Sequence, residues 1–221
     1  MAEAEISRHT ALRALAIVEG GGAEHNAAPE ILEAAVRAFD KLGYEHKSLN
    51  HIAELAGTSK SLISYYFPSK RALAWAVIDL AYPGGVFMGA PRVADDPLEA
   101  VVWTAEHVAT NVLHSPLARV ALSLIDNESL RSQRAAGKYL GWLVRLTDYL
   151  DEARTRGLIP AEVDVAVEAK YVLSGIVGSI TVDLATGSRL CMIRDAVQIT
   201  RGRLEQLMTA AAGTPRPLIA P

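Results

Sequence analysis

The run KSLISYY gathers side chains that suit contact with a polar, negatively charged groove. It contains one cation, two hydroxyl donors and two rings with a polar tip: Lys60, Ser61, Ser64, Tyr65 and Tyr66. Lysine reaches guanine edges or phosphates, tyrosine hydroxyls bind phosphate oxygens, and ring faces contact thymine methyl groups. This combination predicts a surface that binds double-stranded DNA.

Two serines stand where helices are expected to begin on either side of this run, Ser48 before 49–56 and Ser69 before 70–80. The backbone N–H groups of such helix starts can hold phosphates, and Lys70 adds a positive charge beside the second start. Between residues 29 and 82 six cations balance six acidic residues, so attraction to DNA has to come from their local placement.

The elements that position these residues are short helices separated by helix-ending glycines. Apolar spacing predicts helices over 31–42, 49–56, 60–65 and 70–80, with Gly43 and Gly57 as stops. Two short helices joined by a tight glycine turn and flanked by longer helices are typical of a helix-turn-helix. The alternative is a helical hairpin with an ordinary solvated face.

The remaining chain also follows the helical period, over 98–113, 117–130, 137–156, 164–185 and 195–211. No alternating strand pattern competes, so the predicted fold class is all-α. The prolines and glycines of 83–97 mark a hinge between a DNA-binding domain, 29–82, and a helical domain, 98–212. Residues 1–28, weakly helical over 6–18, are predicted to form a partly flexible arm, and 213–221 a tail.

Composition limits the class of protein. Half of the 221 residues are hydrophobic and a fifth are charged, which excludes general disorder, and the net charge of −3 gives no bulk attraction to DNA. The longest apolar stretch, 171–182, is too short to span a bilayer, and the acidic start argues against a signal peptide. With one cysteine, Cys191, these features predict a cytoplasmic protein that makes no membrane contact.

The helix 164–185 is apolar on more than half of its circumference and must be covered on several sides. The hypothesis is that one stripe packs inside the subunit and the other forms a homodimer contact together with 195–211. The predicted contact residues are Val172, Gly175, Ile176 and Ser179. Packing entirely inside a monomer is the alternative.

A second set of residues could line a cavity in the helical domain. Trp142, Tyr139, Trp103 and Ser174 combine flat rings with a hydroxyl, and Tyr149 and Met192 could complete the lining. Such residues are equally suited to an ordinary core, so the pattern leaves both interpretations open.

The segment GTSKSLISYYFPSKRAL, within residues 31–77, resembles the DNA-binding domain of the TetR family of transcriptional regulators. The segments SPLARVALSLIDNESL, GKYLGWLVRL, GLIPAEVD and YVLSGIVGSI are more loosely similar to the family's γ-butyrolactone receptor branch. Leu62 and Ser64 depart from the family pattern, which puts a small hydroxyl residue at the first position and an aromatic at the second. An operator sequence therefore cannot be taken over from relatives.

The resemblance implies a repressor that binds operator DNA as a homodimer, through a four-helix interface, and is released by a small-molecule effector. A butyrolactone, butenolide or furan would stack on Trp142 and hydrogen-bond near Ser174. Trp75 stands where the branch often has a glutamine, so the contact from that helix would differ. The alternative is a TetR-like repressor that responds to an unrelated apolar ligand, such as a drug or metabolite.

An enzyme is a competing class that the sequence does not support. Gly-x-Ser-x-Gly, phosphate-cradling and His-Glu-x-x-His motifs are absent from the sequence, so we expect no catalytic residues and no cofactor. His107 and His114 lack a third ligand, so no metal site is predicted. A purely structural helical adaptor would leave the polar face of 60–66 unexplained.

Overall fold

The computed structural model describes residues 27–82, 96–130 and 133–210, and every regular element in these ranges is helical. The all-α prediction is therefore confirmed. Nearly all of the predicted arm and hinge and the whole of the predicted tail lie outside the described residues, and their assignments remain predictions.

The N-terminal helices are α1 (Ala28–Leu42), α2 (Leu49–Ala56), α3 (Lys60–Tyr66) and α4 (Lys70–Ala81). Serine side chains cap three of them: Ser48, Ser59 and Ser69 each accept a bond from the backbone N–H three residues on, at 3.0 to 3.3 Å. Gly57 ends α2 with φ +63°, a left-handed conformation that favours glycine. Capping and turn chemistry thus set these boundaries locally, as the sequence predicts.

The later helices are α5 (Pro97–His114), α6 (Pro116–Ile125), α7 (Gln133–Thr155), α8 (Val165–Thr186) and α9 (Met192–Ala210), with a 3₁₀ turn at Glu128–Leu130. The helix predicted over 117–130 is too long. After Ile125 the Asn127 side chain accepts a hydrogen bond from the Ser129 N–H at 3.0 Å, and the Asn127 carbonyl accepts one from the Leu130 N–H. These bonds stabilise a turn instead of a further helical turn.

The chain divides into two compact units, and α6 with the 3₁₀ turn belongs to the first, together with α1 to α4. This grouping differs from the predicted domains, which place α6 in the C-terminal one. Side-chain contacts explain it. Arg119 of α6 pairs with Asp40 of α1 through two bonds of 2.9 and 3.0 Å, and the Tyr82 hydroxyl donates to the Ala118 carbonyl at 3.0 Å. Burial raises the pKa of Tyr82, which keeps this hydroxyl protonated as a donor.

The 3₁₀ turn is tied to the N-terminal helices through Ser129. Its carbonyl accepts a bond from the Arg71 guanidinium at 3.2 Å, and its hydroxyl donates to the Glu45 carboxylate at 2.6 Å. This second bond lowers the pKa of Glu45. The first unit is therefore a helix-turn-helix together with a supporting helix from later in the chain.

The second unit contains most of α5, α7 from Tyr139 onward, α8 and α9. Its core holds large, fully buried side chains on α7, including Trp142, Leu146, Tyr149 and Leu150. α8 packs on α9, where the Arg203 guanidinium forms a bidentate pair with the buried Glu168 carboxylate at 2.6 and 2.7 Å. Within the chain, α9 therefore covers one side of the apolar α8.

By length and composition α8 could cross a bilayer, because its most apolar window has a mean hydropathy of 1.4. The same helix carries the ion-paired Glu168 and a buried Asp183, and 44% of that window is buried inside the protein. Packing against the rest of the second unit therefore accounts for part of its apolar character.

The pair between Asp40 and Arg119 joins residues far apart in the sequence and is at most 29% exposed on either side chain. We expect a double-mutant cycle with Asp40→Ala and Arg119→Ala to give a coupling energy of about 1 kcal/mol, because the bond is bidentate and partly desolvated. Urea unfolding of the two single variants and the double variant measures it. If the losses in the free energy of unfolding of the two single variants simply add up in the double variant, the pair does not hold α6 to α1.

Candidate nucleic-acid interface

The face predicted to contact DNA is presented outward by α3. Lys60, Ser61 and Ser64 are exposed, and Tyr65 is the most open of the large side chains here, at 81%. Tyr66 is half-buried, and its ring lies edge-on to Tyr65 at 5.2 Å. The predicted cation, hydroxyls and aromatic rings therefore occur together on one short helix.

Two buried side chains anchor this helix from behind. Ile63 is completely buried, and Phe67, directly after the helix, is nearly so. The Phe67 N–H donates to the Ile63 carbonyl at 2.7 Å, which closes the last turn before Pro68. The apolar side of α3 fixes its rotation, so the remaining residues must point away from the domain.

Ser48 and its neighbours form a polar cluster at the start of α2. The Lys47 ammonium lies 3.0 Å from His51 Nε2, and His51 Nδ1 lies 3.8 Å from the Glu54 carboxylate. Lys47 and His51 are not among the residues predicted to contact DNA, although their spacing of four residues across a helix start favours contact between the two side chains. They add cationic and donor groups beside the predicted phosphate contact of Ser48.

Lys70 follows the Ser69 cap and is held against the loop after α1. Its ammonium donates to the Tyr44 carbonyl at 3.0 Å and lies 4.1 Å from the centre of the Tyr44 ring. An ammonium has three donors, so Lys70 can also bind a phosphate while it supports this loop. Burial, more than the nearby Glu45 carboxylate, raises the pKa of Tyr44, so its phenol stays neutral next to Lys70.

The predicted ligand residues are divided between the two compact units. Trp142 is completely buried, the half-buried Tyr139 meets it edge-on at 5.4 Å, and Trp103 stacks on His107 at 4.3 Å, all in the second unit. Trp75 is buried in the first unit, on α4. An aromatic cluster around Trp142 is present, and the assignment of a ligand to it stays a prediction.

Ser174 is exposed on α8, and its assignment to the pocket lining stays a prediction. It lies on the outward side of the helix, one turn after the exposed Tyr171, whereas Val172, Leu173 and Ile176 form the inward side.

The predicted dimer contacts need correction. Val172 and Ile176 are buried within the chain and have no surface to offer a partner. A Cβ added at the half-buried Gly175 would lie 2.8 Å from Ile199 Cγ2, so this glycine allows close packing of α8 on α9 of the same chain. Ser179, also half-buried, donates to the Ile176 carbonyl within its own helix.

A different stripe of α8 is exposed, and it was not selected from the sequence. It runs along one side of the helix at spacings of three and four residues: Val167, Tyr171, Ser174, Gly178 and Val182. Ile199 of α9 is exposed beside it, next to Gly175. The Arg203 guanidinium lies 5.2 Å from the Tyr171 ring and links the two helices at this surface.

Residues 31–77 match the family model described as bacterial regulatory proteins, tetR family. The A-factor receptor protein of Streptomyces griseus is 26% identical over 160 residues, which cover 72% of this chain and 55% of that protein. The chain thus matches about half the length of this relative.

Two solved structures share the fold. One, described as the molecular basis for control of antibiotic production by bacterial hormones, has a TM-score of 0.69 and 26% identity and covers 84% of this chain and 99% of its own. The second, a γ-butyrolactone receptor described as ArpA-like, has a TM-score of 0.62 and 20% identity and covers 81% and 97%. Residues 31–77, which include the helix-turn-helix of α2 and α3, thus match the DNA-binding domain of the tetR family of bacterial regulatory proteins, and the chain as a whole is similar to the A-factor receptor and shares its fold with a γ-butyrolactone receptor.

Proposed function

We propose that this protein is a transcriptional repressor that binds operator DNA as a homodimer and leaves it when a small signalling molecule binds. The observation that carries the proposal is the outward polar and aromatic face of α3 within a helix-turn-helix that matches the TetR family. In a helix-turn-helix, the second helix enters the major groove while the first crosses the phosphate backbone. In this proposal α3 enters the major groove and α2 crosses the phosphate backbone. Ser48, Lys47 and His51 lie at the start of α2.

Recognition of an operator with two-fold symmetry requires two helix-turn-helix domains. Half-sites read by a dimer lie about one helical turn, roughly 34 to 36 Å, apart. The exposed stripe of α8 and the neighbouring Ile199 supply an apolar surface that a second copy would cover with its own α8 and α9. This arrangement keeps the predicted four-helix interface but uses Tyr171 and Val182 in place of Val172 and Ile176.

The second unit is the proposed receptor for the signal. Its buried aromatic cluster around Trp142 suits a small, mostly apolar ring, and the resemblance to a receptor for A-factor and to γ-butyrolactone receptors favours a lactone, butenolide or furan. A ligand releases the protein from DNA only if it binds the conformation that cannot bind DNA more tightly than the conformation that can. A typical coupling of about 1 to 3 kcal/mol weakens DNA binding roughly 5- to 150-fold.

Selection of duplexes from a randomised DNA library tests this function directly. We expect the purified dimer to enrich an operator with two-fold symmetry, and a panel of γ-butyrolactones, butenolides and furans to contain a compound that releases it in a mobility-shift assay. A protein that enriches no sequence would contradict the repressor assignment. Release only by unrelated apolar compounds would contradict the proposed ligand class while leaving the DNA-binding function in place.

Lys60→Ala and Tyr65→Ala should each weaken binding to the selected operator by about 1 to 3 kcal/mol, because both exposed side chains lie on α3. The Lys60 variant should also show a shallower dependence of affinity on salt if its ammonium neutralises a phosphate. Fluorescence anisotropy at several salt concentrations measures both effects. Arg189→Ala, which removes an exposed cation between α8 and α9, is the control and should bind like wild type. Unchanged affinity in both α3 variants would rule out α3 as the reading helix.

A further inference from the structure

α3 has an unusual set of side chains for a helix that reads base edges. Its seven residues contain no Arg, Asn or Gln, the side chains that make bidentate hydrogen bonds to guanine or adenine. Asp and Glu, which accept from cytosine, are also absent from these seven residues. Lys60 is the one charged side chain in α3, and the other hydrogen-bonding groups of this helix are serine and tyrosine hydroxyls, which discriminate less sharply between bases.

An exposed leucine occupies part of the outward surface instead. Leu62 is 37% exposed, although the neighbouring Ile63 is completely buried. Tyr65 stands one turn further on the same side, with most of its ring open to solvent. The Ser59 side chain accepts a bond from the Leu62 N–H at 3.1 Å, which fixes the backbone at the leucine.

We propose that Leu62, together with the ring of Tyr65, reads the operator through the 5-methyl groups of thymines in the major groove. This inference rests on the proposed operator binding and specifies how the operator is recognised. The thymine methyl is the one apolar group that a standard base pair displays in the major groove, and apolar side chains contact it. Contact with it covers Leu62 surface that is otherwise open to water, and it distinguishes thymine from cytosine without a hydrogen bond.

Uracil substitution isolates this contact, because uracil pairs like thymine but lacks the methyl group. Each thymine of the operator enriched by the wild-type protein is replaced in turn by uracil, symmetrically in both half-sites. We expect wild-type affinity to fall about 3- to 10-fold at one or two positions and to be unchanged at the others. The affected positions should lie next to each other, since Leu62 and Tyr65 are one turn apart.

Leu62→Ser assigns the contact to this residue. The variant should bind the thymine operator more weakly than wild type and should bind the thymine and uracil forms equally at the Leu62 position. Leu55→Ser is the matched control, because Leu55 is similarly exposed, at 41%, but lies on α2. It should retain the full preference for thymine, and circular dichroism checks that both variants are folded.

The two proposals fail in different ways in this experiment. Wild-type protein that binds its operator equally well with thymine or uracil at every position overturns the methyl readout alone. If Leu62→Ser keeps the full thymine preference at every position that is affected in the wild type, the contact lies elsewhere, and this result also overturns the methyl readout. Protein that enriches no operator overturns the repressor function, and the inference with it.

Discussion

Replacing Tyr171 and Val182 together by aspartate is expected to convert the proposed dimer into monomers and to lower operator affinity by about 10²- to 10⁴-fold. Both residues belong to the exposed stripe of α8 and are 56% and 59% open to solvent in the single chain. The charges therefore cost little in a monomer but would be buried and unpaired in the four-helix contact. Operator affinity falls because, in a dimer, binding of one DNA-binding domain raises the effective concentration of the second domain at its half-site. Separate monomers lack this effect.

Sedimentation equilibrium and fluorescence anisotropy on the same samples measure the two effects. The matched control is Leu140→Asp with Val144→Asp, which places two aspartates on α7 at side chains of similar exposure, 59% and 61%. This control should remain dimeric and bind the operator normally. A Tyr171/Val182 variant that stays dimeric, or a wild-type protein that is monomeric at micromolar concentration, would refute the proposed interface.

Trp142→Ala is expected to lower the free energy of unfolding by about 3 to 5 kcal/mol, because the indole is completely buried among other buried side chains of α7. Urea unfolding followed by far-ultraviolet circular dichroism measures the loss. Such a variant can lose its ligand response merely by losing its structure. The alanine variant therefore tests the core, and a milder substitution is needed to test the pocket.

Trp142→Phe keeps an aromatic ring in the core and should unfold at a urea concentration closer to wild type. If the ligand stacks on the indole, this variant should bind the operator normally but need at least tenfold more of a releasing γ-butyrolactone, butenolide or furan. Leu150→Ala, a large-to-small change at another fully buried position of α7, controls for general loss of stability and should retain wild-type release. Release of Trp142→Phe at wild-type concentrations would make Trp142 a core residue only.

The helix-turn-helix of α2 and α3 could be predicted from the sequence because the interactions that determine it join residues only a few positions apart. Serine caps, a left-handed glycine and one buried side chain per turn fix the ends and rotation of α2 and α3. Once Ile63 is buried, Lys60, Ser61, Ser64 and Tyr65 must face outward. The contact of Lys47 with His51 could not be predicted with the same certainty, because it depends on the side-chain conformation of an exposed lysine and not on a backbone cap.

The tertiary structure alone decided how α8 is rotated and where α6 belongs. α8 is apolar on most sides, so its sequence does not distinguish the buried stripe of Val172 and Ile176 from the exposed stripe of Tyr171 and Val182. Contacts distant in sequence make that choice: the pair of Glu168 with Arg203 and the close approach of Gly175 to Ile199. In the same way Arg119 and Asp40, 79 residues apart, attach α6 to the DNA-binding helices. Local periodicity specifies that a helix has an apolar side, but only packing against a neighbour determines which side is covered.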